Sequence, residues 1–289
     1  MKILLFKIGA IGDTLMTTPL IRQLRNNFKD AIIDYLIGNY SYEVLEGNKY
    51  LNNIIKFDEG VFFKKDIKEW LKLILKIRKR KYDVIIVLDK HWIFNFTAFL
   101  FGAKKRVGFD RFGEGKFLTY KVPYFGRKHE VFYYLDLLRG LGVEPKYNDW
   151  QLEIFLSNED LKFAENFWNE NNLNEKVVVG VCPGGAVNVG VENDDLRRWD
   201  VKNYIELIKR LIKRGFKVLL IGGKTDKSIE RNILKEVNCL SMIGKVSLKK
   251  SAALLRKCSI VICNDSGPMH LASTVNEVII SIFGPTNPS

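Results

Sequence analysis

Short apolar runs alternate along the whole chain with longer stretches in which apolar residues recur at three- and four-residue spacing. In the first half the runs predict strands over 2–8, 31–37, 54–57, 84–88 and 105–108, and the amphipathic stretches predict helices over 13–26, 41–46, 65–80, 91–101 and 130–141. Asp13 and Thr14 open the first helix and Pro19 lies inside it, which predicts a kink or a late start; Gly142 marks the end of the last. A second series follows Tyr147-Asn148-Asp149-Trp150, with strands over 176–182, 217–221, 259–263 and 278–283 and helices over 158–171, 201–214, 227–237, 248–257 and 268–273. Strands alternating with helices in this way predict α/β architecture with parallel sheets. Two series predict two Rossmann-like domains, residues 1–154 and 155–289, although no Gly/Pro-rich linker marks the boundary.

Composition adds little, because 47% hydrophobic and 27% charged residues over 289 positions are ordinary globular usage. Charge adds more. Forty-six Lys and Arg against 33 Asp and Glu leave +13, which favours nucleic acid, phosphorylated small molecules or an acidic membrane surface as partners. Four cysteines without a C-x-x-C pair predict neither a disulfide framework nor a zinc ribbon, and three histidines are too few for a histidine-rich metal site. No metal or cofactor is therefore expected. Lys7 interrupts the apolar N-terminus and Asp13 follows, so residues 2–8 read as a core strand of a cytosolic protein rather than a signal peptide. No apolar run approaches the roughly 20 residues that span a bilayer.

Four motifs stand at predicted strand ends. Gly9-Ala10-Ile11-Gly12-Asp13 follows the first strand; it is not the G-x-G-x-x-G dinucleotide fingerprint, and Asp13 either caps the helix or faces a ligand at the carboxyl edge of the sheet. Pro183-Gly184-Gly185-Ala186, followed by Arg197-Arg198-Trp199, offers backbone N–H groups and guanidinium groups to a phosphate; the plain alternative is a surface loop. Asn264-Asp265-Ser266-Gly267-Pro268-Met269-His270 offers N–H groups at a helix start, where His270 is either structural or anion-binding. Phe283-Gly284-Pro285-Thr286-Asn287-Pro288 is a further strand-end turn. The second-half motifs all follow strands, where open α/β sheets bind ligands, and Asp13 occupies the equivalent edge in the first half.

Together these segments resemble the ADP-heptose:lipopolysaccharide heptosyltransferases, glycosyltransferase family 9. The matching pieces are K-I-L-L-F-K-I-G-A-I-G-D-T-L-M-T-T-P at the start, G-A-K-K-R-V-G-F-D at 102–110, the 183–186 turn with R-R-W, L-I-G-G at 220–223, N-D-S-G-P-M-H-L-A and F-G-P-T-N-P, in family order over nearly the whole chain. The resemblance implies a GT-B fold of two Rossmann-like domains facing across a cleft, the first on the acceptor side and the second holding the nucleotide sugar. It implies an inverting, metal-independent transfer of heptose from an ADP-sugar donor to an anionic glycolipid acceptor, a lipopolysaccharide core or related glycan. Asp13 would be the general base. Arg197, with Arg198 in support, would contact the nucleotide phosphates. Ser266, Gly267 and His270 would lie at the diphosphate, Asp265 near the donor sugar or ribose, Gly184 and Gly185 along the same cleft, and Val246 beside the adenine. Two departures from the family pattern stand out. Family members continue past the F-G-P-T-[ND]-P turn into a C-terminal helix that returns to the first domain, whereas this chain stops at Ser289, so a truncated chain or a differently closed fold is expected. Arg197 stands where the family's lysine is usual, which keeps the charge and alters its geometry.

The segment 65–81, K-D-I-K-E-W-L-K-L-I-L-K-I-R-K-R-K, has Trp70, Leu71, Ile74 and Ile77 at helical spacing and reads as a sheet-packing helix with a solvated basic face. Its basic end, with Lys104, Lys105 and Arg106, is expected to attract the anionic acceptor or the inner face of the cytoplasmic membrane. That expectation fails if charge reversal at Arg78, Lys79 and Arg80 leaves liposome binding and acceptor turnover unchanged. Competing readings are a GT-B epimerase or a transferase with another nucleotide sugar, a non-catalytic family member, and a nucleic-acid-binding protein. The last is disfavoured, and no nucleic-acid partner is expected, because the basic residues are scattered and no RNP, KH or zinc-finger pattern appears.

Overall fold

The computed structural model describes residues 1–64, 66–185, 197–276 and 278–284. Two compact units, Met1–Leu152 and Glu153–Ser289, divide the chain. In the first, β1 (Lys2–Lys7) leads through α1 (Ile11–Leu15) and α2 (Thr18–Asn27) to β2 (Ile32–Gly38), and α3 (Tyr42–Leu45) leads to β3 (Asn53–Phe57). Then come α4 (Gly60–Phe63), α5 (Ile67–Arg78), β4 (Val84–Val87), α6 (Trp92–Leu100), β5 (Lys105–Asp110), β6 (Tyr120–Pro123) and α7 (Glu130–Asp136). The six strands are all parallel, in the order β3-β2-β1-β4-β5-β6. In the second unit α8 (Asn158–Glu170) precedes β7 (Val178–Cys182), α9 (Val201–Lys213), β8 (Lys217–Leu220) and α10 (Lys227–Glu236). It continues with β9 (Leu240–Ser241), α11 (Leu248–Lys257), β10 (Ile260–Asn264), α12 (Gly267–Ala272) and β11 (Ile279–Ile282), in the parallel order β11-β10-β7-β8-β9. Each sheet grows outward in both directions from its first strand, as in doubly wound folds.

Burial on both faces explains the unbroken apolar strands. Ile3, Leu4, Leu5 and Phe6 of β1 are all fully buried, and Phe6 meets the rings of Phe57, Phe62, Phe94 and Phe101 at centroid distances from 5.4 to 6.2 Å. Val179, Val181, Val218 and Leu220 build the corresponding core of the second sheet with Tyr204 and Ile208 of α9. Polar residues inside such runs are paired: buried Asp34 of β2 accepts from Tyr82 OH at 2.6 Å and from Asn53 Nδ2 at 2.8 Å.

Several elements depart from the sequence reading. The helix expected over 13–26 is two helices, because Pro19 sits in the first turn of α2 and cannot donate to a preceding carbonyl. Hydroxyls take over at the break: Thr17 donates to the Thr14 carbonyl and Thr18 to that of Leu15, each at 2.7 Å. The helix expected over 130–141 tightens after Asp136 into a 3-10 turn, Leu137–Leu141, closed by Gly142 at φ 78°. Strand β6 was not predicted; only Val122 of its residues is buried, and Pro123 suits its place at the sheet edge. Leu71, expected on the sheet-packing face of α5, is 49% exposed, while Leu73 fills that face.

Gly140 marks the closest approach between the 3-10 turn and the sheet. A Cβ there would lie 2.5 Å from Val107 Cγ1 and 2.7 Å from Cγ2, and a stiff valine has no rotamer that clears it. Gly140→Ala is expected to destabilise the protein by about 1–3 kcal/mol in urea unfolding. Adding Val107→Ala should then cost less than Val107→Ala costs alone; strictly additive effects would show that the two sites are not in contact.

Candidate active site

The first sheet changes its direction of growth between β1 and β4, and a buried charge stands at that point. Lys7, the last residue of β1, is 2% exposed. Its Nζ donates to Asp89 Oδ1 at 3.0 Å and lies 3.8 Å from Asp13 Oδ2 and 5.6 Å from the centre of the Tyr134 ring. Asp89, just beyond the end of β4, uses its other oxygen to accept from the Ile8 amide at 2.6 Å. Burial pulls the Lys7 amine down, but Asp89, Tyr134 and Asp13 outweigh it and hold the ammonium well above its usual value. Asp13 is on α1 with half of its side chain in solvent. The alternative in which Asp13 caps this helix is overturned: Ala10 occupies the cap position and no side chain bonds there. A buried ammonium thus grips one partly buried carboxylate and aims at a second that solvent or substrate can reach. On the same edge Lys90 pairs with Glu130 at 2.8 Å, and Glu130 also accepts from the Tyr124 hydroxyl.

In the second unit the corresponding point lies between β7 and β10, whose ends pair Cys182 with Cys263. The turns that leave these strands, Pro183-Gly184-Gly185 and Asn264-Asp265-Ser266, are tied by one fully buried side chain. Asn264 Nδ2 donates to the Pro183 and Gly184 carbonyls at 3.1 and 3.2 Å, and its Oδ1 accepts from the Trp199 amide at 3.0 Å and from Tyr204 OH at 2.8 Å. A buried carboxylate holds the other side of the turn: Asp226 accepts from Gly185 N at 3.1 Å and from Gly223 N at 2.8 Å. Gly184 packs so tightly on that carboxylate that no Cβ fits, and Gly185, at φ 84°, would place a Cβ 2.5 Å from Ser266 Oγ. Arg198 Nε donates to the Gly185 carbonyl at 2.7 Å.

The structure therefore joins Asp13 to Lys7 in one unit, and Gly184, Gly185, Arg198 and Ser266 in the other. Arg197 is half-buried next to Arg198, and Asp265 and Gly267 flank Ser266. His270 is half-buried on α12. Val246 lies further along the edge, on the loop after β9, which Gly244 N ties to the Gly222 carbonyl at 3.0 Å. Lys104 and Lys105 are exposed at the amino end of β5, the opposite edge of the first sheet from Asp13. Arg106 directs its donors to the Phe117 and Ala103 carbonyls at 2.8 and 2.6 Å, and burial lowers its guanidinium pKa. Ala186 and the Pro285-Thr286-Asn287-Pro288 part of the last motif lie outside the described residues. Lys7, Asp89, Asp226 and Asn264 received no role in the sequence reading. The available signal was a lone charge in the run I-L-L-F-K-I and an acidic residue immediately after V-I-I-V-L.

Comparison with known proteins identifies the family and the fold. The sequence model of glycosyltransferase family 9 (heptosyltransferase) matches residues 70–289. Lipopolysaccharide heptosyltransferase 2 of Escherichia coli K12 is 27% identical over 301 residues, covering 100% of this chain and 84% of that protein. A crystal structure of a family 9 glycosyl transferase from Veillonella parvula superposes with a TM-score of 0.87 at 24% identity, over 99% of this chain and 82% of its own. The E. coli ADP-heptose lps heptosyltransferase II superposes at 0.81 with 25% identity, over 100% of this chain and 86% of its own. The two parallel sheets, each a Rossmann-like domain, are those of the GT-B fold.

Asn264→Ala strips partners from four groups at once, two of them in the buried turn. Leaving a buried polar group unpaired costs about 1–3 kcal/mol, so hydrogen exchange at the Trp199 amide should accelerate at least about fivefold and the melting temperature should fall. An unchanged exchange rate would show that the segments are held together by other contacts.

Proposed function

This chain belongs to glycosyltransferase family 9, the heptosyltransferase family, and on that premise we propose that it transfers heptose from ADP-heptose to a lipopolysaccharide core or a related anionic glycolipid. The reaction proposed is inverting and needs no metal, and it takes place at the cytoplasmic face of the membrane where such an acceptor is assembled. The observation that carries this reading is the half-exposed carboxylate of Asp13 beside the buried Lys7 and its partner Asp89, at the edge where doubly wound sheets bind ligands.

Asp13 takes the proton of the acceptor hydroxyl as its oxygen attacks the anomeric carbon. The bond from that carbon to the diphosphate breaks, and its electron pair leaves with ADP. Lys7 orients Asp13, and Asp89 fixes Lys7 in turn. In the second unit Arg197 meets the diphosphate charge, with His270 and the amides of Ser266 and Gly267 beside it. Arg198, whose Nε is spent on Gly185, steadies the glycine turn rather than adding the main charge. Asp265 binds the donor sugar or ribose, and Val246 lines the adenine. Exposed Lys104 and Lys105 serve the anionic surface on which the acceptor sits, away from the reacting groups, and Arg106, whose donors go to the Phe117 and Ala103 carbonyls, braces that edge.

Asp13→Asn should lower transfer by about 10²–10⁴-fold with ADP affinity retained, since the base acts on the acceptor proton and does not hold the nucleotide. Retained turnover would remove Asp13 from the chemistry. Lys7→Met should lower kcat by about a hundredfold through misplacement of Asp13, again with ADP affinity unchanged; wild-type kcat in a folded Lys7→Met protein would confine Lys7 to a structural role. Arg197→Ala should weaken ADP binding in calorimetry as well as slow transfer, and unchanged affinity would place Arg197 outside the phosphate site.

A further inference from the structure

At the carboxyl edge of the first sheet, the chain that leaves β3 and the chain that leaves β4 border a cavity of ≈ 380 Å³, within the range of small-molecule sites. Phe62 of α4, Trp70 of α5 and Trp92 of α6 stand in its walls, and its polar lining residues are Asp66 and His91, which cap α5 and α6. Two of the three rings are fixed from behind. Phe62 meets Phe94 at 5.0 Å and Phe57 at 5.9 Å between ring centres, and Trp70 Nε1 donates to Thr97 Oγ1 at 3.1 Å. Trp92 is 46% exposed, and its amide donates to Glu114 Oε1 at 3.4 Å.

Capping gives the two polar groups opposite hydrogen-bonding character. Asp66 Oδ1 accepts from the Glu69 amide at 3.2 Å, and the carboxylate has a second oxygen with which to accept. His91 Nδ1 accepts from the Ile93 amide at 3.3 Å, which puts the ring hydrogen on Nε2 and makes that nitrogen a donor. The cavity also adjoins the edge that holds Asp13. Asp89, the partner of Lys7, precedes Trp92 by three residues, so their Cα atoms are at most about 11 Å apart.

We infer that this cavity is a carbohydrate subsite, which holds the sugar unit of the acceptor glycan next to the one whose hydroxyl reacts, and that Trp92, Asp66 and His91 decide which glycan is accepted. A pyranose ring turns polarised C–H groups to one side and hydroxyls outward, so it lies against the negative face of an indole while it donates to a carboxylate and accepts from an imidazole N–H. An acyl chain would use the rings alone and would strip water from Asp66 and His91 with nothing in return. Rings already fixed by the core behind them meet a sugar at little ordering cost. The inference rests on the transferase reading, because the sugar bound belongs to that reaction's acceptor.

Calorimetric titration of the full chain with deacylated lipopolysaccharide core oligosaccharide, with no donor present, tests it. Saturable binding is expected, at least about tenfold weaker in Trp92→Ala and close to wild type in Trp92→Phe, which keeps an aromatic face. Asp66→Ser, which can still cap α5, should weaken binding about fivefold. ADP affinity should be the same in Trp92→Ala as in the wild type, and the melting temperature close to it. Equal oligosaccharide binding by Trp92→Ala and the wild type would overturn the inference. So would Trp92-dependent binding of decanoate without any binding of the oligosaccharide, which would make an acyl chain the occupant. Transfer of heptose to the oligosaccharide with the same KM in Trp92→Ala would overturn it too and leave the transferase reading in place. Trp92-dependent oligosaccharide binding in a chain that transfers no heptose would retain the sugar subsite and remove the transferase reading.

Discussion

A parallel sheet that grows in both directions from its first strand leaves the loops on either side of that strand diverging at its carboxyl edge, and both halves of this chain are built on that constraint. The opening it creates is where backbone and side-chain polar groups can meet a ligand without interrupting strand pairing. In the first unit the strands beside it are β1 and β4, which bring Lys7, Asp13 and Asp89 together. In the second they are β7 and β10, which bring the glycine turn to the N-D-S-G segment.

Each opening is stiffened by a buried polar group that is fully engaged. An ammonium as deeply buried as that of Lys7 is tolerable only with a carboxylate in contact, and removing Asp89 would leave the ammonium charged and dry. Asn264 and Asp226 do similar work with neutral and charged hydrogen bonds, fixing the Gly184–Gly185 turn from two sides. Rigid placement of this kind suits groups that must meet a ligand in fixed positions.

The strands were legible because burial on both faces writes them as continuous apolar runs, and the turns because glycine, proline and asparagine follow those runs. The break between α1 and α2 was visible only as Pro19. What escaped was pairing between distant positions: Lys7 and Asp89 stand 82 residues apart, Asn264 and Gly184 80, Asp226 and Gly185 41. Strand order brings these together, and no local pattern encodes strand order. For that reason Lys7 read as an interruption of a strand when it is the charge that Asp13 faces. The basic residues Lys104, Lys105 and Arg106 illustrate the same limit, since their charge is plain in the sequence while only strand direction shows that they stand at the edge away from Asp13.

The central proposal is that the second unit holds an ADP-sugar donor at its glycine turn. Calorimetric titration of the full chain with ADP, UDP and GDP at one fixed salt concentration tests it most directly. Selective binding of ADP, lost when Gly185 is replaced by a residue that its positive φ and Ser266 cannot accommodate, is the predicted result. Preferential binding of UDP, or ADP binding indifferent to that turn, would contradict the account.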